Sequence, residues 1–519
     1  MTSVPLKDLP DELPPPAAAY KAALPPGRIV GFPLSALDRL SVPAWSTTFW
    51  DEAGGKWLGV IPNGIGYGAT DADALVGAFG EMTEMVHLSV ALQEIERRRA
   101  SYRDLVNRFG VRSVADPLTC CLPAGSPVDR DTVLEWVPAR RWPTRETVWL
   151  PIDIAAYSNT DLSPGYEPFT TPITNGMGAG PTLDWALAHG IQELLQRDGN
   201  GLLFRSLDQG VVIDTSDIAD PTTRALLDRY ESEGVEVLPK FATDEFGITN
   251  LYVVGADRED RSGAPPIMMT ACGEAAAPNR DRALRKALLE FGAARVRKAF
   301  SHGPLDMVER IAPPNYLARF RERHSLEGEE SRALQAMLHW LSLDRAGLRD
   351  LLKDTVLSRR ATKKFAELPT WDPPASEERP GAALCATLTE RLTAAGLDVL
   401  YIDASPANAA DLGVHAVKAF VPGLEVETMS YYRIGERNVR KLLDRGSDMI
   451  RRGKASASGL QVRLAPEAEE RLGGPVWLDP AAVDRTVGKL YPLYREPEIH
   501  SAPIAMEARV AVAARGGTV

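Results

Sequence analysis

Residues 63 to 85 read NGIGYGATDADALVGAFGEMTEM, and residues 175 to 197 read NGMGAGPTLDWALAHGIQELLQR. At an offset of 112 they share Asn, three Gly, Thr, Ala, Leu and Glu. A chain that writes one glycine turn and one carboxylate-bearing helix twice is expected to fold with an internal repeat. In the first copy Thr70 is placed to cap a helix, with Asp73 reaching back to it. Asp71 and Asp73 also suit the positive end of the helix dipole. Glu81 and Glu84, three apart, project from one helical face, while Ala74, Leu75, Ala78, Phe79 and Met82 are expected to be buried. In the second copy Thr182 and Asp184 open the helix, and Glu193 and Gln196 hold the equivalent positions. A fainter third copy lies in GEAAAPNRDRALRKALLEFGAARVRKAF. There Ala283 and Leu284 precede Glu290 as Ala74 and Leu75 precede Glu81, and Ala293 takes the place of Glu84.

A glycine turn before a helix is often only a turn, and single helical glutamates are usually solvated. Packing alone, however, does not require a carboxylate at matching depth in every copy. The pattern points to convergence of Glu81, Glu84, Glu193 and Glu290 on one place. Clustered carboxylates repel unless cations neutralise them, and oxygen-only ligands suit Mg²⁺. Mg²⁺ in turn suits substrate phosphates, for which Arg197 and Arg295 are candidate partners. A P-loop is excluded because no GxxxxGK[ST] is present, and G-x-G-x-G is not the dinucleotide fingerprint.

Short apolar runs alternate with amphipathic helical stretches from about Arg28, the mark of an α/β or α+β fold. Candidate strands are KWLGVIP, TVWLPIDI, GVVIDT, VEVLPKFAT, ITNLYVVGAD, LDVLYIDAS and VHAVKAFVPGL; helices are expected at 71–99, 183–200, 221–234, 281–300 and 384–396. Residues 1–27, rich in Pro and Ala, read as a poorly ordered or extended lead-in. Residues 28–303 form a core with the repeated motifs, 304–380 a charged helical insertion and linker, and 381–519 the rest of the core and a tail. A net charge of −11 and pI near 5.4 exclude general attraction to nucleic acid or anionic membranes, and no apolar run approaches a membrane span. Four cysteines without a C-x-x-C pair make neither a zinc site nor a disulfide scaffold. A cytoplasmic globular protein is expected.

Several segments together resemble the YcaO family, ATP-using enzymes that activate backbone amides of ribosomally made peptides. RIVGFPLSALDRLSVPAW is similar to the family's opening, and GAFGEMTEM to its Ser-Ala-x-x-Glu-x-x-Glu-Arg helix. TNGMGAGPTLDWALAHGIQELLQRDG resembles the segment ending in Glu-x-x-Glu-Arg-Asp, ALRKALLEFGAAR the Glu-x-x-Gln-x-Arg helix, and LGVHAVKAFVPGLE the late strand and Pro-Gly-Leu-Glu turn. The resemblance runs from about Arg28 to Gly446 and implies an α+β, YcaO-like fold with repeated β/α units around a central ATP and Mg²⁺ site. It implies Glu81, Glu84, Glu193, Gln196 and Glu290 as the metal set, and Arg197, Arg295, Gly66, Gly68, Gly178 and Gly180 as nucleotide contacts. Arg295 and His302 are the candidate catalytic residues; His189, one turn before Glu193, is a weaker general-base candidate that reads more as a packing residue. The implied partners are a ribosomal precursor peptide and a separate leader-binding protein, E1-like or other; a homo-oligomer is a further expectation.

This sequence departs from the family pattern at Gln196, Ala293, Tyr67, Gly77 and Met85, and lacks the Pro-x-Pro-x-Pro ending of many azoline-forming members. Azoline formation from Cys, Ser or Thr is the first expectation. A macroamidine- or thioamide-forming enzyme is one alternative, and a non-catalytic peptide- or partner-binding subunit another. YYRIGERN adds Arg433 and Arg437 as candidate nucleotide or peptide contacts.

Overall fold

The computed structural model describes residues 9–50, 63–203, 207–259, 264–323, 331–376, 378–426, 432–454 and 458–514. The candidate strand KWLGVIP, and Tyr431 of YYRIGERN, lie outside these residues.

Three sheets each present one of the repeated segments as an edge strand. β1 (Arg28–Pro33), β2 (Ala44–Trp50) and β3 (Asn63–Tyr67) form an antiparallel sheet ending at β3. A second sheet runs β4 (Arg98–Ser101), β5 (Val133–Arg141), β13 (Leu400–Asp403), β14 (His415–Phe420), β7 (Met177–Gly180), with β6 (Thr147–Pro151) paired to β5. The third runs β11 (Cys272–Ala277), β10 (Thr249–Asp257), β9 (Val235–Thr243), β8 (Val211–Asp214), β12 (Ala361–Lys364). A small sheet of β15 (Ile450–Arg452), β16 (Leu460–Gln461) and β17 (Val476–Leu478) lies near the C-terminus.

Among the helices, α1 is Pro15–Ala23, α2 Asp71–Glu94, α3 Leu183–Leu203, α4 Pro221–Ser232, α5 Arg280–His302, α6 Ala382–Ala394 and α7 Glu436–Asp444. α2, α3 and α5 directly follow β3, β7 and β11, so the sequence repeat is a strand–turn–helix unit seen three times. The Thr70–Asp73 capping box opens α2 as the spacing requires.

The repeated glycines let each helix lie down on its own strand. A Cβ on Gly66 would sit 2.0 Å from the Ala74 carbonyl, one on Gly178 2.2 Å from that of Ala186, and one on Gly273 2.0 Å from that of Ala287. Gly68 abuts the Asp73 side chain and Gly180 lies under the Trp185 ring. The close approach that Gly66, Gly68, Gly178 and Gly180 permit in this structure is strand to helix, a packing role that stands independently of any nucleotide. Gly66→Ala or Gly178→Ala is expected to cost about 1–3 kcal/mol, read as a lower urea midpoint, because backbone rather than a flexible side chain must shift.

Two other expectations change. Pro15–Ala23 is helical, because Ala17 and Tyr20 pack on α2 beside Phe79 and Ala74. α2 is long and apolar enough on average to cross a membrane, against the sequence reading, yet most of that stretch is buried inside the fold.

β10 reads as a continuous apolar run because both faces of its sheet are covered. Leu251 and Val253 pack with α5 residues such as Leu284 and Phe291. Tyr252 and Val254 pack with Met337, Trp340 and Leu348 of helices Ser331–Leu341 and Arg345–Leu352, and with C-terminal residues such as Val483 and Tyr491. The helical segment expected as an insertion at 304–380 is therefore packed into the main body. It shares a core with the C-terminal part and adds β12 to the third sheet, parallel to β8.

Candidate active site

Edge strands leave backbone N–H groups pointing away from the ladder, and each needs an acceptor. Here the repeated glutamates supply it. Ile65 N donates to Glu81 Oε2 at 2.7 Å, and Glu274 N donates to Glu290 Oε2 at 3.1 Å, in both cases across sixteen residues. Gly176 N, just before β7, donates to Glu193 Oε2 at 3.0 Å. Each helix also reaches the next unit's strand. Glu84 of α2 accepts from the backbone of Ala179 in β7, Gln192 Nε2 of α3 donates to Ala276 O in β11 at 3.0 Å, and Tyr67 OH of β3 donates to Glu290 of α5 at 2.9 Å. The three units close into a ring, and their carboxylates face one interior.

The charges feel one another. Burial pushes the Glu81 carboxyl up to about 7, with Glu193 and Glu290 adding to the rise. Burial, then Glu193 and Glu81, holds Glu84 well above the usual range, and burial followed by Glu274 raises Glu290. Glu81 is nonetheless exposed to solvent. A side chain surrounded by protein yet open to water lines a cleft, so water screens part of the rise while its direction stands. Exposed Arg297 and Lys286 on α5 offset some of the negative charge, Arg297 at Glu81 and Lys286 at Glu84 and Glu290.

Arg197 belongs to this group, 3.5 Å from Glu193 and 3.4 Å from Glu274. Gln196 is buried, with its amide 3.3 Å from Glu274. His189 lies open to water on α3 yet has protein on most sides, and that surrounding protein, then Lys286 and Arg282, lowers its pKa to about 4.

Arg295 is elsewhere. It is fully buried, 2.6 Å from Asp38 and 3.1 Å from Asp257, and Asp257 also takes Arg39 at 2.8 Å and Arg345 at 2.6 Å. The expectation of Arg295 as a phosphate or catalytic contact is corrected: its guanidinium ties α5 to β10 and to the segment after β1. His302 is also removed from the carboxylates. Its Nε2 lies 3.2 Å from Glu496, which Lys298 contacts too, and burial with Lys298 and Arg297 keeps its pKa well below the ordinary value. Replacing His302 by Gln is expected to leave the pH–rate profile of the proposed reaction unchanged, while lowering thermal stability. Arg433 and Arg437 are structural as well. Buried Arg433 donates to the Cys121 and Cys120 carbonyls at 3.0 and 3.2 Å, and Arg437 clasps Asp198 at 2.7 and 2.8 Å.

The sequence reading missed Glu274, Lys286 and Arg297. Glu274 follows the glycine of β11 as Ile65 follows Gly64, a register legible only once Gly273 is aligned with Gly64. A cavity of about 750 Å³ bordered by Arg437, Arg440, Lys441 and Arg471 lies apart from the carboxylates, and Glu436, Glu245 and Asp198 already pair with its arginines.

The family model described as YcaO cyclodehydratase, ATP- and Mg²⁺-binding, matches residues 65–425, more than half the chain. The chain belongs to the YcaO family. Its match begins in β3 and ends at Glu425 of the Pro-Gly-Leu-Glu turn, so it takes in all three strand–helix units. An uncharacterised protein of Methanothermobacter thermautotrophicus is 26% identical over 324 residues, 62% of this chain and 73% of the relative. Among solved structures, a heterocyclase in complex with substrate and cofactor superposes with a TM-score of 0.57 at 19% identity, covering 86% of this chain. This chain spans 57% of that heterocyclase. The YcaO protein of Methanopyrus kandleri bound with AMPPCP and Mg²⁺ gives a TM-score of 0.52 at 19% identity, over 80% of this chain and 90% of that one. These likenesses confirm the mixed helix and sheet fold, and ATP and Mg²⁺ are the ligands of the family.

The residues present fit Mg²⁺. Among the described residues no three acidic, His or Cys side chains stand as a ready ligand set, which departs from a protein-only metal cage. Mg²⁺ does not need one, since it takes one or two carboxylates and completes its octahedron with water and phosphate oxygens. Glu81, Glu84 and Glu290, raised by burial and by neighbouring carboxylates that include Glu193 and Glu274, are groups that a dication relieves.

Proposed function

We propose that this YcaO protein is an ATP- and Mg²⁺-dependent enzyme that activates a backbone amide of a ribosomally made peptide, with azoline formation from Cys, Ser or Thr as the reaction. The observation that carries the reading is the ring of edge strands whose N–H groups hold Glu81, Glu193 and Glu290 towards a common interior. Family membership supports the ATP-dependent, cyclodehydratase-type chemistry; the choice of azoline is our own reading.

In that reaction the side-chain nucleophile adds to the preceding carbonyl carbon and gives up its proton. The resulting oxyanion takes the γ-phosphoryl group of ATP, ADP departs, and the amide nitrogen expels phosphate as it loses its own proton. The peptide loses one water overall, and ATP becomes ADP and phosphate. Bound Mg²⁺ neutralises charge on the triphosphate. The chain's part is to hold that charge in place. Backbone N–H groups fix the glutamates before any ligand arrives, and Tyr67 OH orients Glu290. Arg197 and Lys286 set positive charge beside the carboxylates. His189, exposed on α3 one turn before Glu193, is the imidazole we assign to accept a proton.

The partners proposed are a precursor peptide and a separate leader-binding protein, and use of ATP supports a cytoplasmic location. The solved heterocyclase is described as in complex with substrate and cofactor, which supports this fold holding a substrate and a cofactor together. Titration with ATP and Mg²⁺, followed by mass spectrometry of a candidate peptide, tests the reading. Loss of water fits an azoline or a macroamidine; binding without turnover by intact protein would favour the non-catalytic subunit, to which Gln196 and Ala293 lend support.

A pH dependence follows. The Glu81 pKa is raised from 4.5 to about 7, so the stability linked to this group is fully present below 4.5 and is lost as pH rises through 7. Mg²⁺ binds the ionised form. It is therefore expected to raise the melting temperature more at pH 8 than at pH 6, where it must displace a proton; equal shifts at both values would contradict this electrostatic account.

A further inference from the structure

We infer that Glu274 supplies the carboxylate that position 196 lacks and, with the side-chain oxygen of Asn200, completes an oxygen subsite for one divalent cation. The inference rests on the ATP- and Mg²⁺-dependent reading and goes beyond it by assigning residues outside the repeated helix positions.

Position 196 is the α3 equivalent of Glu84, and its amide carries no charge to balance a cation. The structure brings a carboxylate to it from another element. Glu274 extends from β11, is buried, and accepts at Oε2 from Gln196 Nε2 at 3.3 Å, Arg197 at 3.4 Å and Asn200 Nδ2 at 3.2 Å. Three donors from one stretch of α3 thus converge on a single oxygen. The same residue's backbone N–H fixes Glu290, so Glu274 and Glu290 are held side by side. The carboxylate has moved from helix to strand while staying in the same part of the ring.

Asn200 provides a separate observation. It is fully buried, and while its Nδ2 meets Glu274, its Oδ1 has no hydrogen-bond donor among the described residues. Turning the amide over would set oxygen against carboxylate, so the orientation is fixed by Glu274. A buried amide oxygen without a donor among the described residues, on a side chain whose nitrogen already holds a carboxylate, is a hard oxygen of the kind Mg²⁺ takes. The plainer alternative is that Glu274 only knits α3 to β11 through Arg197. The two roles separate experimentally, because a knitting role is indifferent to where the cation binds.

The test uses the full chain and Mn²⁺ as probe, followed by electron paramagnetic resonance with and without AMPPCP. Glu274→Gln is expected to weaken one Mn²⁺ site by about tenfold or more. Adding Gln196→Glu in that background should restore most of the loss, and Gln196→Glu alone should tighten binding. Asn200→Leu, which removes the oxygen at similar volume, should weaken the same site and serves if Glu274→Gln does not fold. Unchanged Mn²⁺ affinity and stoichiometry in Glu274→Gln, or no recovery in the double variant, would overturn the assignment while leaving the enzyme reading standing. If the wild-type chain fails to bind AMPPCP, the enzyme reading falls. The nucleotide-free Mn²⁺ titrations then decide the assignment alone, the same loss and recovery supporting it and an unchanged affinity overturning it.

Discussion

Glu81→Gln is expected to lower peptide-dependent ATP turnover by at least about 100-fold and, in the same protein, to raise the melting temperature measured without divalent cations. The two effects have one cause. Glu81 is pushed up by burial and by Glu193 and Glu290, so ionised it destabilises the metal-free fold. Glutamine keeps the shape and can still accept from Ile65 N, the contact that now holds Glu81 at 2.7 Å, but brings no charge to repel its neighbours. Without that charge it also attracts no cation. Glu290→Gln should behave alike, with a smaller gain because Tyr67 OH already donates to it. A glutamate serving only as a strand clamp would give the opposite pattern: turnover near wild type and no rise in melting temperature. Mg²⁺ should add less to the melting temperature of either variant than to that of the wild type.

Arg295→Met is expected to be the most destabilising single change outside the cleft, at about 3–5 kcal/mol. Its guanidinium is fully buried between Asp38 and Asp257. Removing it leaves Asp38, itself buried, without its 2.6 Å partner, whereas Asp257 retains Arg39 and Arg345. A denaturant midpoint well below that of wild type checks this. Folded Arg295→Met should bind ATP with an affinity close to wild type; a selective loss of ATP affinity with stability unchanged would return Arg295 to the role expected from its position in the sequence.

The fate of Arg295 shows what the sequence conveys and what it omits. The repeated glycine–helix pattern carried real information, because a glycine that admits a helix backbone 2.0 Å from a Cβ position leaves a mark no other residue can make. The glutamates were legible for a related reason: each recurs at the distance that returns its carboxylate to an N–H in or just before its own strand. Helix spans were legible from periodicity to within a few residues except at the end of α2, where residues 95–99 give way to β4, which pairs with β5. Arg295 and His302 were misread because a helix pattern does not tell which side faces a cleft; Asp38 and Glu496, far away in the chain, decide that. Glu274 was invisible because it sits in an alanine-rich strand of low β-propensity, held by pairing with β10 and by packing of α5. The alliance of residues 333–356 with the C-terminal part was hidden for the same reason, since a core shared across the chain has no local signature.

The central claim is that carboxylates from α2, α3 and α5 hold divalent ions and a triphosphate between them. A crystal structure of the full chain with AMPPCP and Mn²⁺, read through the anomalous signal of manganese, tests it most directly. The account requires manganese peaks within coordination distance of Glu81 or Glu84 from one side and of Glu193 or Glu290 from another, with the triphosphate between them. Manganese and nucleotide bound away from these four residues would contradict it.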